Sequence, residues 1–272
     1  YRLGDICLML ALWTSHHIWN ENITFAKLEN AELVTSHIAG NYASVIFLIS
    51  MIIIAASIKS AQFPFSSWLP RAMEGPTTSS AVFYGSLSVH LGVFVLMRTH
   101  NYWESIGLIK MIIIIMGVCT AVVATSIARV QSTVKTQIAY SSIAQIGLMF
   151  IEVALGWHLL AMIHFSGNAF LRTYQLLVSP SVLGYMIHDQ FFNYIPKLYK
   201  NKFSFPDKIS NSIYLLSIRE WNMDRYLKKI LWDPFKFAGK SFQFLNNKKG
   251  LYVLCIFFVL GFLLFAFDDH LP

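Results

Sequence analysis

Several side chains of this sequence are ionisable or strongly polar and sit inside long apolar runs. In a bilayer such groups are costly and by default mark an ion path or a proton relay. Lys59 ends an apolar run of nearly twenty residues and stands at the head of SAQFPFSSWLP. Pro64 in that segment donates no backbone hydrogen bond and clashes with the carbonyl one turn back. The helix is therefore expected to break here and to free carbonyls near Lys59 and Ser60. Broken helices at membrane depth need protein or a water-filled cavity to supply partners. A lysine desolvated beside the break suits proton carriage; the alternative is an amine that snorkels to an interface. His164, Asn168 and Arg172 follow one another at i, i+4 and i+8. They project from nearly one helical face, spread over ~12 Å. That ladder can hold a file of water and pass protons, or it can serve as interhelical hydrogen bonding.

Weaker signals surround these. Tyr84 and Ser88, and Ser86 and His90, are i, i+4 pairs that put a polar flank on another apolar segment. Imidazole is the side chain that titrates near neutrality unperturbed, so this flank, with Tyr84 and His90, reads either as part of the path or as helix packing. Gln137, Ser141 and Gln145 repeat at i+4 and read as an interhelical seam, since neither residue type changes charge. Lys110 and Glu152 lie a few residues inside the outer ends of their segments; both read as interface groups, with Glu152 also placed for proton exit. Glu74, in the RAMEGPTT turn, is available to pair with Lys59 or Arg71.

Other chemistries lack their residues. Cys7, Cys119 and Cys255 lie singly and form no cluster that holds iron–sulfur. No dinucleotide or Walker-type glycine loop occurs, and the nine histidines have no metal-ligand spacing. No catalytic, cofactor or metal site is legible, so any catalysis belongs to partners and this chain moves an ion.

The elements that position these groups follow from composition. Of 272 residues, 56% are hydrophobic and 13% charged, about half the charge of a soluble domain; mean hydropathy is +0.53. Spans of roughly 17–25 apolar residues are expected at about 3–17, 42–60 (continuing past the break to Met73), 79–98, 105–128, 137–155, 157–178 and 251–267. The net charge of +7 lies in one place: residues 188–250 hold 12 Lys/Arg against 5 Asp/Glu, and the remainder balances. Alternation of spans puts Arg2, Arg71, Arg129, Lys135 and that block on one side, which the positive-inside bias makes cytoplasmic. Residues 181–195 and 221–237 are amphipathic and suit helices in the headgroup plane or a docking surface. The chain begins at Tyr1 inside a hydrophobic run and reads as a piece of a longer protein or as a reading frame that lacks its start.

KSAQFPFSSWLPRAMEGPT, VKTQIAYSSIAQIGLMF and HLLAMIHFSGNAFLR resemble the antiporter-like membrane subunits of respiratory complex I (chain 5/L type) and of Mrp-type antiporters. The opening RLGD is similar to the start of that family's sixth helix. The resemblance covers about residues 1–178. It implies an all-α transmembrane bundle with an antiporter-like fold, a broken helix and a buried chain of ionisable groups. Lys59 falls on the family's central lysine and His164 on the first histidine of the later helix. Asn168 stands where a second histidine is usual, Arg172 where a lysine is usual, and Tyr84 where many members have a histidine. The lysine's glutamate partner belongs, by resemblance, to a helix before Tyr1. The implied domains are 1–178 (antiporter-like, partial), 179–250 (basic cytoplasmic segment) and 251–267 (a final span). The implied function is translocation of protons or sodium in a complex I/Mrp-like assembly, such as an NADH:quinone oxidoreductase-type pump in a bacterial inner membrane, coupled to partner subunits. The other branches are the membrane subunit of a two-protein inorganic-carbon uptake system, with a zinc-containing carbonic-anhydrase-like partner, and a structural membrane anchor.

Overall fold

A computed structural model describes residues 2–21, 24–28, 30–193, 205–241, 243 and 248–268. The chain divides into two compact units, Tyr1–Trp221 and Asn222–Pro272. Among the described residues every regular element is helical.

The first unit is a helix bundle. Its principal helices are α1 (Arg2–Trp19), α2 (Tyr42–Lys59), α3 (Thr77–Arg98), α4 (Gly107–Ala128), α5 (Val134–Ala154), α6 (His158–Phe192) and α7 (Phe205–Ile218). By length and composition α2, α3, α4 and α5 are able to cross a membrane. Ile113 and Ile127 of α4 are buried, while Leu108, Ile115, Val118 and Val122 of the same helix are exposed. A helix apolar on its packed face and on its outer face fits a solvent of lipid rather than water. The protein is an integral membrane protein.

The expected segment 157–178 and the amphipathic stretch from 181 are one continuous helix to Phe192; residues 194 and 195 lie outside the described residues. Its 35 residues measure ~52 Å at ~1.5 Å each, more than a hydrocarbon core of ~30 Å. Part of α6 therefore runs beyond an apolar layer of that thickness. Hydrophobic periodicity does not mark that boundary, because the helical pattern simply continues.

Two close crossings fix the register of the bundle. At the α4–α5 crossing, a Cβ on Gly117 would lie 2.5 Å from the Gly147 carbonyl oxygen, and one on Gly147 would lie 2.8 Å from that of Gly117. Small residues let membrane helices approach this closely. At the α2–α3 crossing, a Cβ on Gly92 would overlap the Ala56 carbonyl oxygen and the Ser60 hydroxyl. Before the second crossing α3 is irregular, π-helical over Ala81–Leu87 and 3₁₀ over Ser88–His90. Such departures from α geometry recur at functional sites.

In the second unit, helical turns cover Met223–Ser241, and α8 spans Lys248–Asp268. Tyr226, Trp232, Phe235 and Phe237 are exposed along the first segment, and Leu251–Leu260 presents an exposed apolar surface.

Candidate functional site

The break after Lys59 is held by several hydrogen bonds, while Gln62 Oε1 is buried without one. Ala61 takes a left-handed φ of 51°, a conformation uncommon for a residue with a Cβ. The chain then turns through a cis Phe63–Pro64 bond into the short helix Trp68–Ala72. The freed carbonyls find side chains: Trp68 Nε1 donates to Ile58 O at 2.9 Å, and Gln62 Nε2 donates to Ser60 O at 3.0 Å. Ser60 Oγ donates to Val89 O of α3 at 2.6 Å, and the Phe63 amide donates to Thr120 Oγ1 of α4 at 3.0 Å. Three helices thus hold the break in place.

Lys59 Nζ forms an ion pair with Asp5 Oδ1 at 2.7 Å. Among the described residues a carboxylate for Lys59 comes from α1, in Asp5, rather than from Glu74. The rule that singles out Lys59 also singles out Asp5, a carboxylate in the first turn of an apolar segment. Sequence reasoning used that residue only as part of RLGD.

On α6, the ladder residues divide between two networks. His164 Nδ1 lies 2.8 Å from Glu152 Oε1, and its Nε2 lies 2.9 Å from Gln145 Oε1, both on α5. Both ring nitrogens therefore have a polar partner on α5. Glu152 is thus turned onto the His164 ring, and its second oxygen is buried without a hydrogen-bond partner. One turn further along, Asn168 Nδ2 lies 3.1 Å from His90 Nε2 of α3. Arg172 Nε donates to Asn168 Oδ1 at 3.1 Å and Arg172 Nη1 donates to Gln175 Oε1 at 2.6 Å. His90, Asn168 and Arg172 are all buried. Sequence reasoning missed Asp5, Gln175 and the pairing of Glu152 with His164.

Other expected residues lie apart from these networks. Tyr84 packs edge-on to Trp68, with ring centroids 6.4 Å apart, next to the break. Ser86 donates to the Val82 carbonyl of its own helix. Glu74 is exposed and lines a cavity of about 690 Å³ with Arg71, Lys135 and Glu220. Arg71 Nη2 is 4.0 Å from Glu220 Oε2, and Lys135 Nζ donates to Gly75 O at 2.7 Å. The Gln137–Ser141–Gln145 seam is wet in prospect: together with Arg129 and Arg172 it lines a cavity of about 380 Å³, room for several waters. Between spans, His100 stacks edge-on with His158 at 4.3 Å. Burial, helped by His158, holds the His100 imidazole below its ordinary range.

The geometry can be set beside known proteins. Residues 1–203 match the family described as NADH:quinone oxidoreductase/Mrp antiporter, transmembrane. The chain belongs to this family. It is 36% identical over 186 residues to NADH-ubiquinone oxidoreductase chain 5 of Paracentrotus lividus, covering 67% of this chain and 27% of that protein. It is 33% identical over 189 residues to NADH-quinone oxidoreductase subunit L of Escherichia coli (strain K12), covering 70% and 30%. The fold is similar to the Mrp complex from Dietzia sp. DQ12-45-1b, with a TM-score of 0.59, 24% identity, and coverage of 73% of this chain and 21% of that one. The chain spans less than a third of the length of these antiporter-family relatives.

Proposed function

We propose that this chain is part of a proton- or sodium-translocating membrane subunit of a complex I/Mrp-like assembly. The observation that carries the reading is the set of linked ionisable and polar groups in the apolar bundle: Asp5–Lys59 at the break, Glu152–His164 at the head of α6, and the buried His90–Asn168–Arg172 beyond it. Polar groups at these depths are expensive and gather where ions pass.

In this reading Lys59 and His164 carry protons. Asp5 provides a counter-charge that steadies the ammonium when it is loaded. Glu152, with one oxygen on His164 and one unpartnered, receives or supplies the proton at the outer end. Arg172 stays charged at any relevant pH and acts by its field rather than as a relay. Water in the seam cavity links Gln145 to the Arg129 end. Residues 1–178 form the conducting domain, 179–250 a basic cytoplasmic docking segment, and 251–267 a final span. Other membrane or soluble subunits supply the driving chemistry, in a bacterial inner membrane.

The test is ion flux through the full-length protein in sealed proteoliposomes, read with a pH-sensitive dye with and without sodium. Lys59→Ala and His164→Ala are each expected to reduce flux roughly tenfold or more. Wild-type flux in both variants overturns the reading in favour of a membrane anchor.

A further inference from the structure

One residue dictates the hydrogen-bond roles around His90. The Arg172 guanidinium has donors only, so the Asn168 atom 3.1 Å from its Nε is the carbonyl Oδ1. The other end of that amide, Nδ2, is a donor, and it lies 3.1 Å from His90 Nε2. A ring nitrogen that accepts a hydrogen bond carries no proton. His90 is therefore neutral in this arrangement, with its hydrogen on Nδ1, which turns toward the Ser86 carbonyl without a well-formed bond. We propose that Arg172 is a positioning residue: acting through the Asn168 side chain, it holds His90 in the neutral, Nδ1-protonated form, so that a proton reaches His90 Nε2 only when the Asn168 amide turns over. The inference builds on the translocation reading, because it makes this amide a gate on the path.

Burial gives the gate its force. His90, Asn168 and Arg172 are 0%, 5% and 7% exposed. A proton on His90 Nε2 turns that nitrogen into a donor facing the Asn168 amide NH₂. Turning the amide over satisfies His90 but swings NH₂ onto Arg172, again donor against donor. In a buried site an unmatched donor costs a large part of a hydrogen bond's worth. Among the described residues the polar side chains packed around His90 are engaged elsewhere. From α6, Phe165 covers the ring edge-on at 4.8 Å, and His164 and Arg172 are the charged or titratable side chains acting on it. From α2, Ser60 spends its hydroxyl on the Val89 carbonyl, and Lys59 is paired with Asp5. From α5, Gln145 turns its carbonyl to His164. The imidazole that the family usually carries at position 168 is thus supplied across the helix interface, from α3, with a charge-set switch between it and α6.

Solid-state ¹⁵N NMR tests this on the full-length protein in lipid vesicles with labelled histidine, the His90 signals being assigned by their loss in His90→Gln. Protonated and bare ring nitrogens resonate far apart, so the spectrum reads the tautomer directly. The expected wild-type result is a single neutral form with Nδ1 protonated. Arg172→Gln is expected to lose that preference, with Nε2-protonated forms growing to a comparable population, while Arg172→Lys keeps the wild-type pattern. Asn168→Leu provides a second route to the same loss if Arg172→Gln does not fold. A wild-type spectrum with Nε2 protonated, or an unchanged tautomer in both Arg172→Gln and Asn168→Leu, overturns the inference. This readout is independent of flux, so failure of the translocation reading in the Lys59 and His164 variants is a separate outcome.

Discussion

Asp5 and Lys59 meet across 54 positions of sequence, at the point where α2 stops being a helix. An ammonium at the end of an apolar run has two options, to reach for water or to find an anion, and here the anion is 2.7 Å away. Asp5 is itself more than half exposed, so the pair contributes little to stability by analogy with other exposed ion pairs. Its value lies in holding the amine at the break. Asp5→Asn is therefore expected to leave folding nearly unchanged, as judged by thermal unfolding in detergent, while lowering ion flux by roughly tenfold. Loss of fold with flux per folded molecule retained would make the pair structural. At the same scale, Glu152 illustrates what spacing hides: its place near a helix end does not disclose the His164 ring nitrogen 2.8 Å from its carboxylate.

The helices act as the rulers that bring such pairs together. The break is legible in KSAQFPF because proline has a local effect. That Ile58 and Ser60 carbonyls are then met by Trp68 and Gln62 depends on how the turn folds back. The crossing of α2 and α3 at Gly92 carries Val89 to the Ser60 hydroxyl and His90 toward α6. Gly92→Ala forces these helices apart and is expected to cost roughly 1–3 kcal/mol, the usual penalty of overpacking. A thermal melt should show the loss, against Gly40→Ala as control, where an added Cβ meets nothing within 4 Å. Equal melting of the two variants would contradict the close crossing. The π-helical stretch Ala81–Leu87 shows why an i+4 reading of α3 falls short. An extra residue per turn rotates every later position about the helix axis, leaving Ser86 on its own backbone while His90 is fully buried.

For the molecule as a whole, charge placement orients what packing assembles. The basic block 188–250 predicts that Lys208, on α7, faces the cytoplasm and that Glu104, between α3 and α4, faces the opposite side. In right-side-out vesicles, with Cys7, Cys119 and Cys255 replaced, a membrane-impermeant maleimide is expected to label Glu104→Cys and to spare Lys208→Cys until the vesicles are opened. The reverse pattern would invert the topology and exchange the entry and exit ends of the path. Composition, periodicity and sequence motifs establish a helical membrane protein, the position of its broken helix, the face shared by His164, Asn168 and Arg172, and its family. All of these are local or additive properties, readable one segment at a time. The tertiary structure decides which charges are partners: Lys59 with Asp5, His164 with Glu152, and Asn168 with His90 from 78 residues away. Those choices depend on helix register, on glycine crossings that set the distance between backbones, and on the distorted turn of α3. A one-residue change in any of them turns a side chain about 100° around its helix, and no single segment records where its neighbours stand.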